Sequence, residues 1–344
     1  MGTDTMKIDR ILVIALTLLV SFGAAARNRA VLIGVSEYPE GSGWCRLSSR
    51  NDIALLRDRL GDGTAVTVLE DAQATRLGIV QALRNAVNAS EKGDTVFVHF
   101  SGHGQQMMPS EDDDLEVDGL DEAIIPYDAK KDWSPSYDGR NHLRDDEFSD
   151  VIDDLRRKLG PDGLVIVSLD ACHSDSMDKD ADLGAETGGT VYRGTSDVFG
   201  ENVTDEALRS RYRQDTSPIP SGDEADVVYI SACKTHSRNA EITLEDGTGY
   251  GSLSYAVAEA LASAGIKNPA PFIDSVVVSM DRIVPYQEPG VRTSFEYAPP
   301  EIGRQTIPVN STEPSNHKKE NRWVVYALLA MMIFGTALWI MKRR

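Results

Sequence analysis

Short and almost uninterrupted apolar runs alternate along this chain with segments whose apolar residues recur every three or four positions. Apolar runs without polar alternation are typical of strands that are buried on both faces, and the intervening periodicity is typical of amphipathic helices. The alternation therefore predicts an α/β fold, in which a mostly parallel sheet is covered by helices on both faces. The strand-like runs are RAVLIGV (29–35), AVTVLE (65–70), DTVFVHF (94–100), LVIVSLD (164–170) and VVYIS (227–231), with a last strand expected near RTSFEYA.

An N-terminal segment precedes this pattern. The charged residues KIDR (7–10), the apolar stretch from Ile11 to Phe22 and the alanines at 24–26 have the order of a secretory signal peptide. We therefore expect residues 1–26 to be a signal peptide. An uncleaved N-terminal anchor, with the rest of the chain in the cytoplasm, is the alternative.

A second apolar segment lies near the C-terminus. Residues 323–341 are 19 residues without a charge, which is long enough to span a bilayer as a helix. The basic residues 342–344 that follow are expected to stay cytoplasmic. The sequence therefore predicts a single-pass membrane protein, in which a domain at 27–308 and a polar linker at 309–322 face the periplasm or the cell exterior.

The charge balance argues against one class of partner. The chain has 35 basic and 54 acidic residues, which give a net charge of −19. Nucleic-acid-binding domains need a basic surface, so a nucleic acid is not expected as a partner. A negative surface is compatible with basic ligands, although it is also common in soluble proteins.

The three cysteines, Cys45, Cys172 and Cys233, are an odd number. In an oxidising compartment, one disulfide with one thiol and three thiols are both compatible with that number. Two of these cysteines end similar strand motifs, LDAC and ISAC. At most one of the two is expected to be a nucleophile.

Two polar motifs, SGHG (101–104) and DACHS (170–174), follow strands directly. Ligands of parallel sheets bind outside the carboxyl ends of the strands, so His103 and Cys172 can lie close together there. A histidine in that place can deprotonate a thiol and later protonate a leaving amine. The glycine-rich turn also exposes backbone N–H groups of the kind that an oxyanion hole needs.

Other interpretations of these residues exist. A histidine after a strand can be structural, and a buried cysteine can serve as a small apolar residue. His99 and His103 are four residues apart on a strand, so they share a face for zinc ligation only if the strand continues through Ser101 and Gly102. Cys172 with His173 lacks the paired spacing of structural zinc sites. Ser101 is a weak nucleophile candidate because no Gly-x-Ser-x-Gly motif surrounds it.

The order of the motifs resembles the caspase-like cysteine peptidases, in particular the metacaspase and bacterial orthocaspase branch. The resemblance runs from about residue 29 to residue 264. It is carried by SGHG and DACHS at this spacing, with DGLDE between them. The other matching motifs are RAVLIGVSEYP, ND at the start of a helix, LRDDEF, ISACKTHSRNAE and GYGSLSYAVAEAL.

The resemblance implies a caspase-like three-layer sandwich around a mostly parallel six-stranded sheet. It also implies a Cys–His dyad, with Cys172 as the nucleophile and His103 as the base, and an oxyanion hole formed by the N–H groups of Gly104 and Cys172. Cys233 is then expected to be structural.

The family's preference for Arg or Lys at the cleavage position implies an acidic pocket. Asp170 matches the family's pocket aspartate. Asp52 is a second candidate, although its register is about one residue short. Carboxylates in such a pocket would form charge-assisted pairs with a guanidinium.

The resemblance also raises calcium as an activator, although the peptidase chemistry requires no cofactor. Asp118, Asp145 and Asp146 match the acidic cluster through which calcium activates some relatives, and carboxylate oxygens suit this ion. The alternative is that these residues are simply solvated.

Two features depart from the family. Asp175 replaces a glycine close to the nucleophile. The segment 174–225 is long, and it is expected to be either a flexible insertion or an autoprocessing site at one of its arginines. These include Arg193, Arg209, Arg211 and Arg213.

The sequence therefore predicts a membrane-anchored, monomeric cysteine endopeptidase that acts on proteins or peptides with Arg or Lys at the cleavage position. The alternative is a catalytically silent caspase-like interaction module that is tethered to the membrane.

Overall fold

A six-stranded sheet with one antiparallel edge strand forms the centre of the fold. The strands lie in the order β11 (Gly290–Thr293), β8 (Asp226–Ser231), β7 (Leu164–Asp170), β3 (Thr95–Ser101), β1 (Asn28–Gly34) and β2 (Thr64–Glu70). β11 pairs with β8 in the antiparallel sense, and the other five strands are parallel. The predicted mostly parallel sheet is confirmed.

The computed structural model describes residues 27–109, 120–172, 190–201, 203, 219–234 and 238–300. The described residues belong to one unit that ends at Ile302. Within these ranges, no helix is long and apolar enough to cross a membrane. The predicted signal peptide at 1–26 and membrane helix at 323–341 lie outside the described residues, so both stay predictions.

Helices cover both faces of the sheet, because the central strands are apolar on both sides. Val31 and Ile33 of β1 pack under α2 (Arg76–Ala89) and α3 (Asp145–Leu159). The alternate residues Ala30 and Leu32 pack on the opposite face, under three further helices. These are α1 (Ser49–Leu60), α4 (Ser252–Ser263) and α5 (Pro269–Ile283). Each fully buried aliphatic side chain contributes roughly 1.5–3 kcal/mol, so the two apolar clusters stabilise the sheet from both sides.

The sequence accounts for the bounds of α2 and α3. Thr75 is the N-cap of α2, and its Oγ accepts a hydrogen bond from Gly78 N–H at 3.1 Å. In α3, acidic residues occupy the first turn and basic residues the last, which complements the helix dipole.

Two small antiparallel sheets lie beyond the central strands. One contains β4 (Gly104–Met107), β5 (Asp121–Ile124) and β6 (Leu143–Arg144), and the other is a hairpin of β9 (Glu241–Thr243) and β10 (Gly249–Gly251). The apolar pattern does not predict these short strands.

Candidate active site

The register of the central sheet brings His103 and Cys172, the predicted dyad, to the carboxyl ends of two central strands. Ser101 at the end of β3 pairs with Asp170 at the end of β7. His103 and Cys172 each lie two residues beyond that pair, and both are buried. The structure therefore places the two residues at the same end of neighbouring parallel strands, as the sequence predicts.

The hydrogen bonds of His103 define which nitrogen can act as a base. Its Nε2 lies 3.0 Å from the carbonyl oxygen of Cys45. A carbonyl oxygen can only accept, so Nε2 carries the proton and Nδ1 is the basic nitrogen in the neutral ring. The Cys45 Sγ also lies 3.5 Å from Nε2.

Two aromatic residues that sequence reasoning missed hold His103 in place. The indole of Trp44 stacks on the imidazole, with ring centroids 4.9 Å apart. Tyr38 Oη accepts a hydrogen bond from the His103 backbone N–H at 3.1 Å and donates one to the Ile125 carbonyl at 3.0 Å. The only signal in the sequence is a pair of aromatic residues in the loop after β1.

Cys172 lies beside a second cysteine. Its Sγ is 3.1 Å from the Sγ of Cys233, which is longer than a disulfide bond, so both residues carry thiols. β7 and β8 are neighbours, with Leu169 opposite Ser231, and the two similar strand motifs therefore end side by side. Sequence reasoning gave Cys233 a structural role only, and the structure adds a contact with the expected nucleophile.

A buried arginine occupies the predicted acidic pocket. The Arg193 side chain is fully buried, and its Nη2 lies 2.8 Å from Asp52 Oδ2 and 2.7 Å from Glu241 Oε1. Its Nη1 donates to Ser101 Oγ at 2.5 Å and lies 3.7 Å from Asp170 Oδ2. We call Asp52, Asp170 and Glu241 the carboxylate pocket. Arg193, which belongs to the long segment 174–225, is therefore held in place by ion pairs, and its role as an autoprocessing site stays a prediction.

The N-terminus of α4 supplies much of the polar support for this pocket. Gly251 N–H donates to Asp52 Oδ1 at 2.9 Å, and Ser254 N–H donates to Asp170 Oδ2 at 2.7 Å. A Cβ atom on Gly251 would lie 2.6 Å from Cζ of Arg193, so glycine provides the space that the guanidinium fills. Backbone N–H groups at a helix N-terminus favour negative charge, which suits two buried carboxylates.

The two aspartates of the pocket have different protonation behaviour. Burial raises the pKa of Asp52 to about 6, and Asp170 adds to the rise while Arg193 opposes it. Burial also works to raise the pKa of Asp170, but Arg193 and hydrogen bonds from Ser254 and Asn239 hold that pKa below its ordinary value. Asp170 is therefore the permanent negative charge of the pair.

His99 supports Asp170 through a hydrogen-bond chain. His99 Nε2 lies 3.1 Å from Ser254 Oγ, which donates to Asp170 Oδ2 at 2.5 Å. Burial lowers the pKa of His99 to about 4, so its ring is neutral at pH 7. Within the described ranges, no group of three or more metal-ligating side chains is found.

The backbone around Arg193 lies in the site as an added strand. Tyr192 forms an antiparallel bridge with Ala240. Arg193 N–H donates to the Asn239 carbonyl at 2.9 Å, and Glu241 N–H donates to the Val191 carbonyl at 2.9 Å. This pattern is the one by which an extended peptide adds to a sheet edge.

The carbonyl of Arg193 accepts a hydrogen bond from the backbone N–H of Cys172 at 2.8 Å. Cys172 N–H is one of the two donors predicted for the oxyanion hole. Gly104, the other predicted donor, begins β4 directly after His103. The Arg193–Gly194 peptide bond therefore lies beside Cys172, and the arginine side chain lies in the carboxylate pocket.

Two of the three predicted calcium ligands belong to the described residues. Asp145 and Asp146 begin α3 and are both exposed, and Asp118 lies outside the described residues. Calcium in proteins takes six to eight oxygen ligands. A site would therefore need Asp118 or other groups beside these two carboxylates, and the calcium site stays a prediction.

Comparisons with known proteins show what this chain is similar to. The Caspase domain family matches residues 27–312. Metacaspase-1B of Aspergillus fumigatus is 27% identical over 292 residues, which cover 74% of this chain and 67% of the relative. Metacaspase-1 of Cryptococcus neoformans is 28% identical over 274 residues, which cover 68% of this chain and 55% of the relative.

Two further matches are more limited. Metacaspase-7 of Arabidopsis thaliana is 35% identical over 164 residues, which cover 44% of this chain and 35% of the relative. The chain thus spans between about a third and two thirds of the length of these curated relatives. The crystal structure of a protein from Geobacter sulfurreducens is 22% identical, with a TM-score of 0.52, and the match covers 79% of this chain and 95% of that chain. That likeness shows a shared fold.

Proposed function

This chain belongs to the caspase-domain family of cysteine-type peptidases, and from that premise we propose that it cleaves peptide bonds after arginine or lysine. The observation that carries the specificity is the position of Arg193 in the carboxylate pocket. Three acidic side chains attract a basic residue at the cleavage position and repel an aspartate. The planar guanidinium can also bond two of them at once, which favours arginine over lysine.

The geometry supports a two-residue mechanism. His103 accepts the thiol proton of Cys172 at Nδ1, and the thiolate attacks the carbonyl carbon of the basic residue. The oxygen that becomes negative is bound by Cys172 N–H, together with Gly104 N–H in this proposal. His103 then gives its proton to the leaving amine, and water hydrolyses the remaining thioester.

The same geometry supports autoprocessing. The Arg193 carbonyl already accepts a hydrogen bond from Cys172 N–H. Attack at that carbonyl would break the bond between Arg193 and Gly194. We propose that this bond is the first one that the enzyme cleaves and that the segment blocks the site until then.

Hydrolysis of internally quenched peptides tests the specificity. Peptides that differ only in Arg, Lys or Asp at the cleavage position would be incubated with the full-length protein and with its Cys172→Ala variant. We expect cleavage after Arg and Lys by the unmodified protein only. Cleavage after Asp, or activity that persists in the variant, would contradict the proposal. No turnover by a folded protein whose thiols react would favour the silent interaction module.

Membrane anchoring and export remain proposals that the sequence pattern supports. We propose that residues 1–26 direct export, that residues 323–341 anchor the chain, and that the peptidase domain is a monomer facing the periplasm or cell exterior. N-terminal sequencing of the mature protein tests the first point. A start near Arg27 would support removal of a signal peptide, and a start at Met1 would contradict it.

Calcium activation is likewise a proposal, which rests on the match of Asp118, Asp145 and Asp146 to the family pattern. The peptide assay would be run with calcium and with a chelator. Equal rates in both would contradict calcium dependence.

A further inference from the structure

The four residues Val191 to Gly194, which lie between Cys172 and the segment Asn239 to Glu241, also indicate which residues the enzyme prefers on either side of the arginine. We infer that the preferred substrate has a glycine directly after the arginine and an aromatic residue directly before it. The inference rests on the proposed cleavage after arginine and specifies the substrate of the same site. A bound peptide and the chain's own segment would form the same backbone hydrogen bonds, so their side chains would meet the same surroundings.

The position after the arginine has no room for a side chain. A Cβ atom on Gly194 would lie 2.1 Å from the carbonyl oxygen of Cys172, 2.9 Å from its carbonyl carbon and 3.1 Å from its Cβ. Two of these atoms belong to the backbone of the nucleophile. They cannot retreat unless Cys172 moves as well, and such a movement would disturb its N–H bond to the Arg193 carbonyl. Glycine therefore suits this position because of space.

The position before the arginine faces a cation. The guanidinium carbon of Arg238 lies 5.2 Å from the centroid of the Tyr192 ring, which is within the range of a cation–π interaction. Arg238 directly precedes Asn239, whose carbonyl accepts the Arg193 N–H. The hydrogen bond that aligns the arginine therefore also holds the backbone next to Arg238. An aromatic ring gains from this contact, whereas a second basic residue would be repelled.

The inference can be tested with three internally quenched peptides that share one frame. The reference contains valine-tyrosine-arginine-glycine, the second replaces glycine with alanine, and the third replaces tyrosine with alanine. The full-length protein would be assayed beside its Arg238→Ala variant, and kcat/KM would be measured for each pair. We expect alanine after the arginine to lower kcat/KM about tenfold or more, because of overpacking against the backbone.

We expect alanine before the arginine to lower kcat/KM by roughly two- to fivefold in the unmodified protein. In the Arg238→Ala variant the two peptides should be cleaved at nearly equal rates. Equal cleavage of all three peptides by the unmodified protein would overturn the inference and leave cleavage after arginine intact. No cleavage after arginine in any peptide would overturn the proposed function and the inference together.

Self-cleavage gives an independent readout with a matched control. A Cβ atom on Gly222 meets no atom within 4 Å, unlike one on Gly194. Gly194→Ala should slow the appearance of the two fragments by about tenfold or more, whereas Gly222→Ala should leave the rate unchanged. Self-cleavage of the Gly194→Ala variant at the unmodified rate would overturn the glycine preference.

Discussion

Two acidic groups in this protein have the same number of carboxylates and opposite environments. The carboxylate pocket is desolvated, and the side chains of Asp52 and Asp170 are fully buried around a guanidinium. The first turn of α3 contains Asp145, Asp146 and Glu147. These three residues lie at the surface, where water screens them.

The comparison shows that burial, and not the number of acids, decides whether a carboxylate needs a charged partner. In the pocket every charge needs a partner, since an unpaired buried charge is very costly. The acidic side chains in the first turn of α3 stabilise the helix through its dipole. Among them, Glu147 forms a half-exposed ion pair with Arg76. Exposed pairs of this kind contribute about 0–1 kcal/mol.

The largest effect is expected from Asp170→Asn. This change removes the permanent charge of the pocket and disturbs the hydrogen bonds from Asn239 Nδ2 and Ser254. Loss of one partner from a buried ion pair costs about 3–5 kcal/mol. We expect kcat/KM for arginine peptides to fall at least about a hundredfold and thermal unfolding to shift to lower temperature. An Asp170→Asn variant with normal kcat/KM would contradict a role of the carboxylate pocket in binding arginine.

A smaller loss is expected from Glu241→Gln. Its side chain is 8% exposed and also accepts bonds from Ser48 N–H and Ser48 Oγ, which glutamine can partly keep. We expect kcat/KM for arginine peptides to fall about tenfold, in line with the loss of one charge-assisted bond. Steady-state kinetics on arginine and neutral peptides checks this prediction, because only the arginine peptide should be affected.

The pH dependence of specificity should follow Asp52. Its pKa in the folded protein is about 6, so the pocket loses a negative charge as the pH falls through that value. As the pH falls through this value, we expect kcat/KM for arginine peptides to decrease by a few-fold. This decrease should exceed any decrease that the Asp52→Asn variant shows over the same pH range. Superimposable pH profiles of the two proteins would contradict the assignment.

The same raised pKa has an opposite consequence for stability. The folded protein binds a proton more tightly than the unfolded chain, so ionisation of Asp52 opposes folding above about pH 6. As the pH falls from about 6 to about 4, the free energy of unfolding of the original protein should therefore rise relative to that of the Asp52→Asn variant. Denaturant unfolding of both proteins at several pH values would measure the difference.

The smallest effect is expected on α3. Asp146→Asn should change the free energy of unfolding by no more than about 0.5 kcal/mol, because Asp146 is exposed. With chelator present, kcat/KM should equal that of the original protein. A selective loss of activity in calcium would support the proposed calcium role, and a large loss of stability would contradict the comparison of the two groups.

Sequence reasoning locates the residues that short motifs place at strand or helix ends. His103 and Cys172 follow from the ends of β3 and β7, where parallel strands bring polar residues together, and Asp170 follows from the family resemblance. Asp52 contacts the Arg193 guanidinium, because α1 begins close to the carboxyl ends of these strands. Its role in substrate binding stays a prediction.

Other parts of the site depend on contacts between distant segments, which no local pattern contains. Glu241 belongs to a short hairpin, and Arg193 reaches the pocket from a segment that reads as a polar loop. Ser101 reads only as a weak nucleophile, yet it donates to Asp52 at 2.7 Å and accepts from Arg193. Long-range placement of this kind requires the folded structure.

The mass of the purified full-length protein, beside that of its Cys172→Ala variant, tests the central claim most directly. We expect the unmodified protein to separate into two fragments, one ending at Arg193 and one beginning Gly194-Thr195-Ser196. The variant should keep the Arg193–Gly194 bond intact. Cleavage of this bond in the variant, or an unmodified protein that hydrolyses arginine peptides and leaves this bond uncut, would contradict the central claim.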